Sequence, residues 1–351
     1  MKRAGIAVAL LWLGACSPDP EAAPSVAERL DALGYVGWAP VTTQEARRSG
    51  VVHHDTALAQ PGLNLFSSRA VPGARLVNLN GDVVHEWHAI AKPGRGWNHV
   101  ELAPGGDIIA LERVAAYLTL GGRRTRVLGE NVLRLTAEGE VRSRTALHDL
   151  LGEHLSAEGL AAASTPDPRS AWQRMRDGWR PPPADLFHAN SIEILPRDVP
   201  GLGPAGAALV SLRNLDLVVV LDLAEPAVVW SLGPGIVERQ HQASLLANDH
   251  LLVFDNGRER RYSRVVEIDP IGREVVWEYS GTPERSLRSR SQGGAEGLAN
   301  GNVLVVESER GRAFEVTRDG ALAWEFLHPR LDAARGARAA IYRMTRTAAP
   351  R

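Results

Sequence analysis

Three histidines occupy comparable places along the chain. His188 and His241 each stand at the head of an apolar run, and His99, within Asn98-His99-Val100-Glu101, opens a third run of the same kind. If those runs are the innermost strands of sheets set round an axis, the imidazoles face one channel. There they can exchange protons near neutral pH. The three converging imidazoles can alternatively hold zinc or iron, but no ligand spacing fixes such a site, and the reading without a metal is preferred. Arg258, Arg260, Arg261 and Arg264, with Arg285, Arg288 and Arg290 beyond them, either draw anions to the channel mouth or are solvated loop charge. His53-His54, His85 and His88 lack partners at ligand spacing and are expected at the surface. Cys16 is the only cysteine. Past it, disulfides, thiolate metal sites and cysteine nucleophiles are excluded.

The elements that must position these groups come from a repeat. Ala74 to Trp87, Asp216 to Trp230, Arg264 to Trp277 and Arg312 to Trp324 each run from an apolar stretch through a turn to a tryptophan. Trp230, Trp277 and Trp324 follow one another at 47 residues. Asn131 to Thr145 is a fifth copy that has lost its tryptophan. A second set of turns, at Pro104 to Asp107, Asn248-Asp249 and Asn300-Gly301-Asn302, lies between the copies, so each unit supplies two hairpins. Four antiparallel strands in such a unit make a propeller blade. The predicted fold is all-β, a β-propeller of about six four-stranded blades, with five repeats visible. Gly62 to Ser67 and Ile341 to Arg346 are expected to complete a further blade by joining the chain ends. The tryptophans are predicted to pack between blades. Residues 150–185 break the period, carry five prolines, and read as a long inserted loop.

Bulk composition agrees with one large repeat domain. The chain has 351 residues, 44% of them hydrophobic, with 40 basic against 41 acidic side chains. That balance supplies no field for nucleic acid, and a nucleic-acid role is discounted. At the N-terminus, Lys2 and Arg3 precede an apolar stretch from Ile6 to Leu13 and then Leu13-Gly14-Ala15-Cys16, the pattern of a lipoprotein signal. Residues 1–15 are therefore expected to be a lipoprotein signal peptide, with lipidation at Cys16. Residues 16–34 then form a tether and short helix, and 35–351 a single propeller domain. The same pattern predicts export and a lipid anchor on the periplasmic side of the envelope, with the outer membrane favoured because Ser17 follows the cysteine.

The succession Asp185-Leu186-Phe187-His188-Ala189-Asn190-Ser191, Gln240-His241, Phe254-Asp255-Asn256-Gly257, Ser263-Arg264, Trp277-Glu278-Tyr279, Gly293-Gly294 and Asn300-Gly301-Asn302 resembles the bacterial arylsulfotransferase family. The resemblance spans about Gly62 to Pro329 and is specific in the last three repeats. It implies a six-bladed propeller with its site in the central funnel, and transfer of a sulfuryl group from a phenolic sulfate to another phenol without a nucleotide donor. No cofactor is implied. Such chemistry needs a group-carrying nucleophile, a proton acceptor and donors for the sulfuryl oxygens. By position, His188 corresponds to an acid/base or sulfuryl ligand, His241 to an acid or base, and Arg258 or Arg260 to the clamp on the oxygens. Asn190 and Asn256 are substrate contacts in this reading, and His99 joins them.

One departure follows. The family's sulfuryl-carrying histidine lies in the following blade, whereas no histidine occurs here between His250 and His328. Glu296, Glu307 and Ser308 occupy that neighbourhood, where a carboxylate repels sulfate. Either a single-step transfer uses His188 or His241 as base, or the chain is a non-catalytic propeller that binds a ligand or protein partner through its funnel face. A quinone-dependent dehydrogenase is set aside, since such enzymes are longer and commonly carry vicinal cysteines.

Overall fold

The structure is a computed structural model that describes residues 37–68, 70, 74–87, 97–102, 108–120, 123–136, 140–154 and 184–347. Cys16, the signal, the tether with its short helix, and most of the expected loop (155–183) lie outside those residues. No helix among the described residues is long and apolar enough to cross a membrane.

The described residues form seven sheets. Two of them join Trp38–Pro40, Ala337–Ala339 and Leu331–Asp332, and Gly281–Thr282 with Arg285–Ser286; the other five each hold a four-strand antiparallel meander. The first holds Arg343–Thr347, Leu63–Ser67, Ala74–Val77 and Val83–Trp87. The second holds Trp97–Leu102, Ile108–Leu120, Arg123–Leu135 and Val141–Ala146, with Ala184–Asp185 added parallel to Val127 and Leu128. Ala189–Ile194, Ala208–Leu212, Leu217–Asp222 and Ala227–Leu232 make the third; His241–Leu245, Leu251–Asp255, Arg264–Asp269 and Glu274–Tyr279 make the fourth. The fifth comprises Gly294–Gly297, Val303–Glu307, Arg312–Val316 and Leu322–Leu327, with Gly50–His54 as an additional outer strand.

Every repeat read from the sequence is the outer hairpin of one sheet. The chain ends do pair, Arg343 to Thr347 against Ser67 to Leu63. They complete the sheet that already holds Ala74 to Trp87 rather than adding another, so five four-strand meanders are seen among the described residues.

Middle strands such as Leu251–Asp255 and Val303–Glu307 are buried on both faces, which explains their unbroken apolar runs. Each lies between two neighbouring sheets. One apolar cluster joins Ile109 and Val132 to Val210 and Val219, a second joins Val220 and Trp230 to Val253 and Val266, and a third joins Leu252 and Phe254 to Val303 and Val305. A fourth carries Leu304 and Trp324 on to Phe66 and Met344. Sheets thus stack in chain order from the second to the fifth, and the fifth packs on the first. The helix Leu147–His154 drops Leu147 and Leu151 into the first of these clusters.

The tryptophans do more than fill space. Trp230 donates its indole N–H to Pro270 O at 3.1 Å, Trp277 to Arg318 O at 2.9 Å, and Trp324 to Leu79 O at 2.9 Å. In each case a fourth strand reaches the outer hairpin turn of the next sheet. One residue type at one repeat position therefore both fills an interface and pins the neighbour's turn. Trp324→Phe keeps an aromatic ring yet leaves the Leu79 carbonyl without its donor, and is expected to cost about 1–3 kcal/mol. Chemical denaturation of the variant beside wild type measures it. No change in midpoint would show that the bond contributes nothing.

Candidate functional site

The third and fourth sheets both begin with a bulge. Pairing slips between Ala189 and Ser191 and again between His241 and Ala243, so Asn190 and Gln242 are the extra residues. His188 (φ 51°), Arg239 (φ 52°) and Gln242 (φ 44°) adopt left-handed backbone around these bulges. Non-glycine residues there are sparsely populated conformers of the kind that cluster at functional sites.

His188 is buried, and its Nδ1 lies 2.5 Å from Asp185 Oδ2. Burial alone raises the Asp185 carboxyl, but the His188 hydrogen bond and the charges of Arg113 and Arg213 outweigh it and hold the group below its ordinary value. Asp185 is therefore a carboxylate at neutral pH and accepts the His188 Nδ1–H, leaving Nε2 with its lone pair. Burial lowers the His188 pKa while Asp185 opposes that. Asp185 thus orients the ring and favours its charged form.

His241 is fixed by a different device. Its Nδ1 is 2.7 Å from Asn256 Oδ1, and the Asn256 Nδ2 donates to Ser289 O at 2.7 Å and Gln292 O at 2.8 Å. Those two bonds set the amide orientation, so Oδ1 must accept and His241 must carry its proton on Nδ1. Burial first, then the charge of Arg213, pushes this imidazole down to about 3. At neutral pH it is a neutral ring, with a further hydrogen bond to the Arg239 backbone.

A pocket of about 290 Å³ is lined by Arg213, Arg239, Gly257, Arg258, Arg288 and Arg290; neither imidazole lines it, but Arg213 donates its backbone N–H to His188 O at 3.2 Å and its charge acts on both rings. Arg213 and Arg239 both donate to Asn214 Oδ1, at 2.9 Å and 2.5 Å. Asn214 in turn donates to Asp185 O at 2.6 Å, which ties the arginine pair to the His188 segment. Such a pocket suits an anion whose charge is spread over several oxygens.

The structure brings His188, His241 and Arg258 to this region, with Asn190 and Asn256 in specific places. Asn256 is spent inside the protein and positions His241. Asn190 shares a narrow cleft with His241, Gln242 and Tyr342, and donates to Gln240 O at 2.8 Å. Arg260 is drawn elsewhere: its guanidinium meets Asp255 at 2.6 Å, where Arg264 also binds at 2.8 Å. His99 is in the first strand of the second sheet, opposite Leu111, with its side chain outside the described residues. Among the described residues no three His, Cys, Asp or Glu side chains are grouped to hold a metal.

The fifth sheet shows what stands in place of the carrier histidine. Gly294 faces Val306 as His241 faces Phe254. A Cβ on Gly294 would lie 2.2 Å from Gln242 Oε1, and one on Gly293 would lie 2.3 Å from the Phe254 ring. Gly293, with φ 142° and the Phe254 ring against it, leaves no room for a side chain, whereas at Gly294 the Gln242 amide would have to move. Glu307, at the end of the next strand, is buried and satisfied by Arg310 at 3.0 Å and Arg312 at 3.2 Å. Glu296 lines a separate cavity of about 470 Å³ between the innermost strands, and burial pushes its carboxyl up to about 7.

Sequence reasoning did not single out Arg213, Arg239 or Glu130. Repeat alignment carries a signal for the first, because Arg213-Asn214 follows Leu212 in the third sheet as Asp255-Asn256 follows Phe254 in the fourth. Glu130 lies behind Asp185 in a buried position, 3.6 Å from Arg113. Burial, reinforced by the Asp185 charge and opposed by Arg113, pushes its carboxyl up to about 8. The folded state then keeps a proton that the unfolded chain releases above its ordinary value, so stability falls as pH rises through that window. At about 1.4 kcal/mol per pK unit, the loss amounts to a few kcal/mol at most. Glu130→Gln should flatten the decline in melting temperature between pH 5 and 8.5, with the residual slope due to Glu296. A variant as pH-sensitive as wild type would refute this assignment.

Fold and site together define an all-β, propeller-type protein with two tautomer-fixed imidazoles beside an arginine-lined pocket. It belongs to the arylsulfotransferase (ASST) family, whose model matches residues 153–328. That span contains His188, His241, Arg258 and the third to fifth sheets. No curated protein matches the chain. Among solved structures, it is similar to a protein of unknown function from Bacteroides caccae (15% identity over 76% of this chain and 73% of that one, TM-score 0.33). It is also similar to virginiamycin B lyase from Staphylococcus aureus (12%, 84% and 75%, TM-score 0.36) and to the Dos1 propeller (10%, 77% and 56%, TM-score 0.36).

Proposed function

We propose that the protein transfers a sulfuryl group from a phenolic sulfate to a second phenol, without a nucleotide donor, in one step. The observation that carries this reading is the Asp185–His188 pair beside the arginine pocket. The His188 Nε2 takes the proton of the incoming phenol while its oxygen attacks sulfur. The donor S–O bond breaks, the leaving phenolate takes up a proton, and Asp185 balances the imidazolium that forms. Arg213 and Arg239 offset the charge on the sulfuryl oxygens, as cationic side chains do in phosphoryl transfer. The two glycines of the fifth sheet fit a path with no histidine carrier on that side. Donor and acceptor then occupy the site together.

We also propose that the sheets close into a propeller and that the chain works outside the cytoplasm as a lipoprotein held to the envelope by Cys16. The lipobox pattern supports the second point.

The test is release of a chromogenic phenol from an aryl sulfate with and without an added phenol acceptor. One-step transfer predicts acceptor-dependent release, intersecting double-reciprocal lines and loss of turnover in His188→Ala. Release without acceptor, with parallel lines, would replace it with a carrier mechanism. No release from a panel of donors by folded protein would favour the non-catalytic binding propeller, to which the missing histidine already points.

A further inference from the structure

Five arginines, Arg213, Arg239, Arg258, Arg288 and Arg290, line one pocket. Arg213, Arg239 and Arg258 form no ion pair with any carboxylate among the described residues, and the Arg213 Nε is buried without a hydrogen-bond partner. Arg290 meets Glu309 at 3.7 Å, and Arg288 donates to the Arg260 carbonyl at 3.0 Å. Nearby carboxylates are committed: Glu238 accepts from the Arg258 and Glu259 backbone N–H groups, and Asp216 accepts from the Arg239 N–H. Burial first, then the like charges of Arg213 and Arg258, pull Arg239 below its ordinary value, opposed by the Asp216 and Asp185 carboxylates. A sulfate monoester brings one negative charge. Relief of the remaining repulsion needs a second anionic group on the same ligand.

We infer that the pocket takes a dianionic aromatic donor, one that carries a second anionic substituent, a sulfate or a carboxylate, on the ring that bears the transferable sulfate ester. This rests on the sulfuryl-transfer reading of the site. The sulfuryl group lies toward Arg213 and the two imidazoles, and the second anion toward Arg258 and Arg290 at the exposed rim. Arg258 is exposed, so its replacement should leave the fold intact.

The experiment measures binding separately from turnover. Calorimetric titration of the full chain in detergent compares benzene-1,4-disulfonate with benzenesulfonate, neither of which can donate a sulfuryl group. The disulfonate is expected to bind at least about tenfold more tightly, with the steeper salt dependence, and Arg258→Gln should remove most of that preference. Equal affinities, or a preference untouched by Arg258→Gln, would overturn the inference. Turnover assays on mono- and dianionic aryl sulfates separate the two readings. A binding preference with no turnover of any donor tells against sulfuryl transfer and not against the dianion site. Equal kcat/KM for both donor classes tells against the dianion site and not against transfer.

Discussion

Asp185→Asn is expected to lower sulfuryl transfer by about 10²–10⁴-fold while the protein stays folded. The carboxylate does two things an amide cannot. It accepts the His188 Nδ1–H at 2.5 Å, which keeps the lone pair on Nε2, and it balances the imidazolium formed when the phenol proton arrives. An asparagine can turn its NH₂ group toward Nδ1 and so move the ring proton to the nitrogen that must stay bare. Even with the correct tautomer, the buried ring would lose its counter-charge, the one influence in its surroundings that raises its pKa. The active protonation state would then form less readily, and the pH at which turnover rises should shift. That shift separates a role in proton transfer from a merely structural one. His188→Ala sets the floor of activity. Wild-type turnover in Asp185→Asn would remove His188 as the base and leave His241, whose neighbour is a neutral amide, as the only candidate.

The largest expected effect on stability lies where the chain ends meet. Arg346, in the strand that closes the first sheet, pairs with Glu315 of the fifth, and the two side chains are 1% and 0% exposed. The guanidinium also donates to Asn64 Oδ1 at 2.9 Å and Gln60 O at 3.1 Å and lies 5.0 Å from the Trp324 ring. Glu315 accepts further bonds from Gln60 N at 2.8 Å and Asn302 Nδ2 at 2.7 Å. Removing either partner strands a charge in the core, and such losses run to about 3–5 kcal/mol. Glu315→Gln and Arg346→Met should each lower the melting temperature by roughly 10 °C in a domain of this size. The double variant should lose much less than the sum, because neither charge is then left alone. Additive losses would show that the pair is not coupled.

The repeat was legible because a blade is a local object. Two hairpins and a tryptophan fall within one period, and the turns at Asn248-Asp249 and Asn300-Gly301-Asn302 are marked by residues that tolerate left-handed backbone. Pairing of Leu63 to Ser67 with the strand near the other end of the chain was also legible, since each falls outside the complete repeats. The number of sheets was not, because sequence periodicity cannot say whether the joined ends add a blade or complete one.

The same division runs through the site. Sequence alone determined that His188 and His241 head innermost strands and that no histidine follows His250 until His328. Only the tertiary structure decided what each imidazole can do, because tautomer and basicity depend on what faces Nδ1. A carboxylate three residues away faces His188, and an amide from the next strand, turned by carbonyls of the following sheet, faces His241. Arg258 and Arg260 looked alike in one loop. Folding parted them by placing a buried Asp255 within reach of one and a pocket of guanidinium groups beside the other. Arg213 and Arg239 came into view only there, since charge density in a pocket is a sum over separate sheets that no single stretch of sequence contains.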